Sequence, residues 1–135
     1  YMHPGEPEMG EAEFLARLCE TADCGLMVDV NNAYVNATNF GFDVDAWMRT
    51  APLDRVVQMH IAGHDWSEEG EDGERLIIDT HGASVDTPVL ELLERTLKKT
   101  GPVPVLLERD QRIPPLPVLL EEVRALEAIY ARATS

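Results

Sequence analysis

The chain has 135 residues, of which 44% are hydrophobic, so it can build one modest domain or a part of a larger one. Its formal net charge of -14 disfavours nucleic acid as a partner, because an acidic surface repels the phosphate backbone. No stretch approaches the roughly 18 apolar residues of a membrane helix. The start, YMHPGEPEMG, lacks the basic and apolar regions of a secretory signal. Composition therefore predicts a soluble, cytoplasmic protein that binds neither nucleic acid nor membranes.

The first half of the chain alternates helical and strand patterns. Apolar residues recur at helical spacing in EAEFLARLCETA, whereas GLMVDV is a nearly continuous apolar run, typical of a strand covered on both faces. Asn and Gly in NNAYVNATNFGF favour a loop, and Asp43 is placed to cap the helix after it. In chain order, we predict a loop at 1–10, a helix at 11–22, a strand at 25–30, a loop at 31–42, a helix at 44–51 and a strand at 55–63.

The second half continues the alternation. Thr87 and Pro88 are predicted to open a helix as its cap and first-turn proline, and Gly101 to end it. In chain order, we predict a polar loop at 64–75, a strand at 76–82, a helix at 87–100, a strand at 103–109, a turn at 112–117 and a helix at 117–133. Alternating helices and apolar strands are typical of an α/β fold with a parallel sheet. Because no linker interrupts the pattern, residues 1–135 are predicted to form a single domain.

Each of the four predicted strands ends in a side chain that can bind a metal ion. In parallel α/β folds, ligands bind at the carboxyl ends of the strands. Clustered carboxylates repel one another where water is scarce, and a multivalent cation removes that cost. Mixed imidazole and carboxylate ligands suit iron, manganese or zinc. The predicted metal ligands are Asp29, His60, Asp79, His81 and Glu108. Asp79 and His81 are expected to point the same way if the strand continues that far, because side chains alternate along a strand.

Each candidate ligand also has a simpler structural interpretation. Asp29 alone could cap the turn that follows its strand. His60 alone would more often be a core histidine with its hydrogen bonds satisfied. Glu108 could form an ordinary salt bridge with Arg109 or Arg112. The joint placement at strand ends favours the metal interpretation, since perturbed ionisable groups cluster at functional sites.

Further polar and aromatic residues flank the predicted ligands. His64 is either another ligand or a partner that orients one, and the second role is favoured. Asn31 and Asn32 could ligate the metal, support a ligand by hydrogen bonds, bind a substrate, or turn the chain. Tyr34 and Trp66 lie on loops that would form the rim of a substrate site, although packing is their simplest role.

Four motifs follow one another in the chain: LMVDVNNAYVNATNFGFD, VVQMHIAGHDW, LIIDTHGASVD and VPVLLERDQRIPPL. Together they resemble the C-terminal half of the multinuclear non-haem iron-dependent oxidase family, which includes the methanobactin-biosynthesis oxidase. The resemblance implies a TIM-type barrel similar to xylose isomerase. A full barrel has eight βα units in about 250 residues, so this chain would supply roughly four of them. The N-terminal half of the barrel, or a second copy of the chain, would complete it.

The resemblance also implies a chemistry. Family members use two or three iron ions and dioxygen to modify cysteine in ribosomally made peptides, which a separate partner protein often presents. By this resemblance Asp29, His60, Asp79, His81 and Glu108 would be the iron ligands, and Asn32 is a candidate for a further one. Zinc or manganese are alternative metals.

Two other classes of function fit the same pattern. One is a divalent-metal TIM-barrel enzyme, such as a sugar isomerase or an endonuclease. The negative charge disfavours an endonuclease, and a sugar isomerase would need a lysine near its metals, whereas Lys98 and Lys99 close a helix. The other is a non-catalytic half-barrel scaffold. Metal analysis separates the three, because iron favours the oxidase, zinc a hydrolase, and no metal the scaffold.

Overall fold

A computed structural model describes residues 8–70 and 73–135, so most of the predicted N-terminal loop lies outside the described residues. The helices are α1 (Glu11–Ala22), α2 (Val30–Phe40), α3 (Val44–Thr50), α4 (Thr87–Thr100) and α5 (Leu116–Thr134), with a 3-10 turn at Leu53–Arg55. The strands are β1 (Leu26–Asp29), β2 (Val56–Ile61), β3 (Asp65–Trp66), β4 (Ile77–Ile78) and β5 (Val105–Leu107). Among the described residues, no helix combines the length and apolar character needed to cross a membrane.

Three of the strands form a parallel sheet in the order β1-β2-β5. The predicted mixed α/β fold is therefore confirmed, and the sheet is compatible with part of a TIM-type barrel. Each of these strands is shorter than its predicted range by two to four residues. The register sets Asp29 opposite His60, and His60 opposite Leu106. The strand ends that carry the candidate ligands are thus neighbours.

Helix α4 packs on one face of this sheet through its apolar stripe. The residues predicted to be buried are each at most 1% exposed: Val89, Leu92, Leu93, Thr96 and Leu97. The apolar members of this stripe share one hydrophobic cluster with Val28, Met59 and Ile61 of the sheet. Because side chains alternate along a strand, the opposite face carries Met27 and Asp29 from β1 and Leu106 from β5. Met27 and Leu106 are exposed, so this second face is open.

The predicted loop at 31–42 is wrong, because most of it is helix α2. Asp29 caps that helix, since its side chain accepts a hydrogen bond from the backbone N–H of Asn32. Gly41, with φ 69°, ends the helix in the left-handed conformation that glycine favours. Its buried apolar residues are Val30, Ala33, Val35 and Ala37, and three of them, Val30, Ala33 and Ala37, recur at helical spacing. Burial of this stripe against the core overrides the weak helix propensity of the asparagines.

The predicted strand at 76–82 is also mostly wrong. Only β4 is extended, and it pairs antiparallel with β3 instead of joining the parallel sheet. The predicted polar loop at 64–75 therefore contains a short strand. Asn39 of α2 holds β4 in place, because its side-chain amide donates to the Ile77 carbonyl at 2.8 Å and accepts from the Ile77 N–H at 2.8 Å. This amide takes the place of a neighbouring strand.

The start of helix α4 differs from the prediction by one residue. Asp86 occupies the cap position, Thr87 is the first helical residue, and neither side chain makes a capping hydrogen bond there. Pro88 lies in the first turn and Gly101 at the C-cap, as predicted. Since Pro88 lacks an N–H, the first turn has one fewer donor to satisfy.

Replacing Asn39 tests how β4 is anchored. Asn39→Ala leaves the buried Ile77 with an unpaired N–H and carbonyl, so the free energy of unfolding should fall by about 1–3 kcal/mol. Urea denaturation measures this loss. Thr38→Ala is the matched control, because Thr38 is exposed and its hydroxyl bonds only within the helix. If both variants were equally stable, the Asn39 amide would not anchor β4.

Candidate metal centre

Three candidate ligands meet at the carboxyl end of the parallel sheet. Asp29 ends β1, His60 lies in β2, and Glu108 follows β5. Each offers a ligand atom within 4.8 Å of the ligand atoms of the other two. His60 Nδ1 lies 2.9 Å from Glu108 Oε1, and the two side chains are 18% and 25% exposed. This triad is a group that could hold a metal ion.

A loop after β4 brings Asp79 and His81 to the triad. His81 Nε2 lies 3.0 Å from Asp79 Oδ1 and 3.7 Å from Asp29 Oδ2, and His81 Nδ1 lies 3.1 Å from Glu108 Oε2. The structure thus places the predicted ligands side by side. The expected reason was wrong, because the strand ends at Ile78 and His81 has a left-handed backbone with φ 49°. A turn, not strand alternation, aims the imidazole at the carboxylates.

The electrostatics of the centre favour a cation. Burial, followed by the nearby Asp79 and Glu108 carboxylates, raises the pKa of Asp29, while the Asn32 N–H and His81 lower it. His81 Nδ1 is buried and makes no hydrogen bond with the described residues, since its approach to Glu108 lacks hydrogen-bond geometry. An imidazole nitrogen that lies 3.1 Å from Glu108 Oε2 and 3.5 Å from Asp110 Oδ2 without a hydrogen bond fits a divalent cation, and this nitrogen and oxygen donor set suits iron, manganese or zinc.

Asn31 and Asn32 donate hydrogen bonds to a candidate ligand. Asn31 Nδ2 lies 2.5 Å from Asp79 Oδ1, and Asn32 Nδ2 lies 3.0 Å from Asp79 Oδ2. Both asparagines lie in the first turn of α2, so one helix start orients the whole Asp79 carboxylate. The sequence allowed Asn31 and Asn32 either to ligate a metal or to support a ligand, but it predicted a loop there instead of a helix. A helix cap at Asp29 was the signal that could have revealed it.

His64 lies behind Asn31, with its ring nitrogens facing Asn31 and Asp86. Its side chain is 1% exposed, and its Nδ1 lies 2.8 Å from Asn31 Oδ1 and its Nε2 3.3 Å from Asp86 Oδ2. An ionised Asp79 can only accept, so Asn31 turns its amide nitrogen to Asp79 and its oxygen to His64. His64 Nδ1 is then the donor. These contacts support the orienting role that the sequence favoured for His64.

The two aromatic residues predicted at the rim differ in their surroundings. Tyr34 stacks on His64, with ring centroids 5.6 Å apart, and it packs against the hydrophobic core. Its contacts are those of a packing residue. Trp66 on β3 is 48% exposed, and the Arg75 guanidinium lies 5.6 Å from its ring centroid. Trp66 therefore remains a candidate for contact with a substrate.

One neighbour of the triad was not anticipated. Gln58 lies two residues before His60 on the same strand, and its Nε2 is 3.0 Å from His60 Nε2. Histidine ligands commonly use their second ring nitrogen for such a bond, and the two-residue spacing was the available signal. The alternative interpretation, in which Glu108 forms a salt bridge with Arg109 or Arg112, is wrong. Arg109 pairs instead with Glu122 at 2.6 Å, and Arg112 pairs with Asp65.

Fold and centre together define an α/β protein with a metal-competent group at the carboxyl end of a parallel sheet. Residues 1–131 match the family described as RiPP precursor modification enzyme MbnB/TglH/ChrH, in which RiPP denotes a ribosomally made, modified peptide. The chain belongs to this family.

The chain is also similar to curated proteins that carry the name UPF0276. It is 47% identical to one from Rhizorhabdus wittichii, covering 86% of this chain and 40% of that protein. It is 48% identical to one from Bordetella parapertussis, covering 90% and 42%. It is 46% identical to one from Pseudomonas aeruginosa, covering 96% and 43%. The chain therefore spans about two fifths of the length of these relatives.

Asp29→Asn separates the charge of this residue from its capping role, because asparagine caps helices as well as aspartate does. The raised pKa of Asp29 means that ionising it costs stability as the pH rises through its folded pKa. Without metal, the variant should therefore match or exceed the wild-type melting temperature at neutral pH, and the difference should vanish in acid. It should also lose most bound metal. A less stable metal-free variant would contradict the predicted charge repulsion.

His64→Ala tests the buried support behind Asn31. It leaves the buried Asn31 oxygen without its donor, so the free energy of unfolding should fall by at least about 1–3 kcal/mol. Thermal and urea denaturation measure the loss. Tyr34→Phe keeps the stacked ring and should change stability by about 0.5 kcal/mol or less. If His64→Ala were as stable as Tyr34→Phe, the contact between His64 and Asn31 would not contribute to stability.

Proposed function

We propose that the complete protein is an iron-dependent oxidase that uses dioxygen to modify cysteine residues of a ribosomally made peptide. Membership of a family of RiPP precursor modification enzymes supports a peptide substrate. The observation that carries the proposal is the group of Asp29, His60 and Glu108, whose ligand atoms lie within 4.8 Å of one another. His81 stands beside this group with a buried nitrogen that has no hydrogen bond among the described residues.

The proposed iron ligands are Asp29, His60, Asp79, His81 and Glu108. Two or three iron ions need more donors than these residues offer, and the chain spans only about two fifths of its relatives. The remaining donors would come from the rest of the barrel, which we propose is of the TIM type. Zinc or manganese would fit the same nitrogen and oxygen donors.

The bound metal would supply one-electron chemistry and Lewis acidity, while the chain supplies geometry. Asn31 and Asn32 fix both oxygens of the Asp79 carboxylate. The Asn32 backbone N–H holds Asp29 at 2.8 Å. Gln58 fixes the orientation of the His60 ring. Ligands held in this way bind metal without first having to become ordered.

The peptide substrate would approach the carboxyl ends of the strands, where the candidate ligands lie and where TIM-type barrels carry their active sites. Met27 and Leu106 lie two residues before Asp29 and Glu108 and are exposed on the face of the sheet that the rest of the barrel would cover. Trp66 offers an exposed aromatic surface on β3, which pairs with β4, the strand that ends just before Asp79. A separate partner protein would present the peptide, which explains how one centre can serve a flexible substrate.

A reconstitution experiment tests the function. The complete protein is loaded with Fe(II) without oxygen and mixed with cysteine-containing peptides encoded beside its gene, and then exposed to air. We expect a peptide mass change that needs iron, oxygen and the cysteine, so peptides with serine in place of cysteine should stay unmodified. A protein that holds zinc alone and consumes no oxygen would overturn the proposal and favour a hydrolase.

Replacing His81 tests the centre directly. His81→Ala should remove metal and leave the fold largely intact, as measured by elemental analysis and circular dichroism. His81→Ala keeps the left-handed backbone strain of about 1–2 kcal/mol that His81 already carries, whereas His81→Gly removes it, so the two variants together separate metal loss from strain. Lys99→Ala, on the exposed side of α4, is the control. Full metal content in both His81 variants would exclude His81 as a ligand.

A further inference from the structure

The turn that carries two candidate ligands is held in an unfavourable conformation. We call residues 79–84 the ligand loop, because it contains Asp79 and His81. His81 has φ 49°, a left-handed backbone that residues with a side chain seldom adopt. Such strain persists only where surrounding contacts enforce it, and it is found mainly at functional sites. The contacts that enforce it here come from the segment after β5.

Two successive carbonyls of the ligand loop face that segment. The His81 carbonyl accepts hydrogen bonds from the backbone N–H groups of Asp110, at 2.9 Å, and Gln111, at 3.5 Å. The Gly82 carbonyl accepts from Arg112 Nε at 3.1 Å and from Arg109 Nη1 at 3.3 Å. The turn is therefore fixed by donors that lie far away in sequence.

Arg112 also connects the loop to the β3–β4 hairpin. Its Nη2 donates to the Asp65 carboxylate, which also accepts from the Thr80 hydroxyl at 2.6 Å. The Thr80 oxygen in turn accepts from the Gly82 N–H at 3.3 Å. The Thr80 hydroxyl and the Arg112 guanidinium lower the pKa of Asp65, which keeps this carboxyl ionised. The Arg112 guanidinium thus binds Gly82 directly and is connected to Thr80 through Asp65 of the hairpin.

The loop has no room to shift between these contacts. A Cβ at Gly82 would lie 2.9 Å from Arg112 Nη2, and one at Gly63 would overlap the carbonyl oxygens of Ala83 and Ser84. The loop is packed against the end of β2 on one side and against Arg112 on the other. A loop confined in this way holds Asp79 and His81 in one arrangement.

We propose that Arg112 is a positioning residue that sets the ligand loop, so that His81 and Asp79 face Asp29 and Glu108 before a metal binds. This inference rests on the proposed metal-binding function of those residues. Lysine cannot replace the arginine, because only the planar guanidinium donates from two nitrogens at once to the Gly82 carbonyl and the Asp65 carboxylate.

Arg112 can be tested without unfolding the protein. Its side chain is 60% exposed, whereas that of Arg109 is 8% exposed and is paired with Glu122 of α5. Arg112 itself has φ 47°, and since alanine and lysine keep the Cβ, they keep the same backbone strain. Arg132 of α5 provides a matched control, because its side chain is 58% exposed and pairs with Glu94 of α4 at 2.8 Å.

The experiment compares Arg112→Ala, Arg112→Lys and Arg132→Ala in the complete protein. Hydrogen exchange of the metal-free protein reports on the loop, and competition with a chelator gives the affinity for Fe(II) and Zn(II). In Arg112→Ala we expect faster exchange at residues 79–84 and a metal affinity about 10- to 100-fold lower, as for other residues that orient ligands. Arg112→Lys should recover only part of the loss, and Arg132→Ala should match the wild type.

The outcomes separate the two proposals. Unchanged exchange in Arg112→Ala would overturn the positioning role, and so would faster exchange with unchanged metal affinity. Full recovery by Arg112→Lys would also overturn it, since a simple charge would then suffice. If the wild type bound neither metal, the proposed function would fail, while faster exchange in Arg112→Ala would still show that Arg112 sets the loop.

Discussion

Repulsion between carboxylates at the end of a parallel sheet is the constraint on which the rest of this structure depends. The register of β1, β2 and β5 brings Asp29 and Glu108 beside His60, and the turn after β4 adds Asp79. Burial and these neighbouring charges raise the pKa of Asp29. Because repulsion among partly buried charges opposes folding, the surrounding residues must offset it with hydrogen-bond donors.

Those donors explain why α2 begins directly where β1 ends. The backbone N–H of Asn32 serves Asp29, and the side chains of Asn31 and Asn32 serve the two oxygens of Asp79. A loop between strand and helix would move these donors away from the carboxylates. The first turn of α2 therefore both receives its cap from Asp29 and supplies the donors that stabilise the charged centre. His64 adds to these contacts by fixing the Asn31 amide.

The parts of the fold that local pattern determines could be predicted from the sequence. The apolar runs of β1, β2 and β5, the helix α1 and the buried stripe of α4 depend on nearby residues alone. The apolar residues Phe14 and Leu18 of α1 are exposed, so its helical pattern predicted the helix but not the burial. Asparagine content concealed α2, whose stripe is made partly of small alanines. The sheet to which β4 belongs depends on contacts remote in sequence, such as the Asn39 amide on Ile77. The grouping of the candidate ligands could be predicted from the ends of the strands. The hydrogen bonds that the side chains of Asn31, Asn32, Gln58 and Arg112 make around them depend on the three-dimensional fold and could not.

The open face of the sheet links the fold to the chemistry. Met27 and Leu106 form an apolar layer directly below Asp29 and Glu108, and both are exposed in this chain. In a closed barrel such a layer is covered by side chains from the opposite strands. The strands that cover Met27 and Leu106 would carry their own strand ends to the same rim. Closing the proposed barrel would thus bring in the missing ligands and also exclude water from the metal centre. Exclusion of water strengthens both the repulsion among the carboxylates and their attraction to a cation, so the centre would bind metal best in the complete barrel.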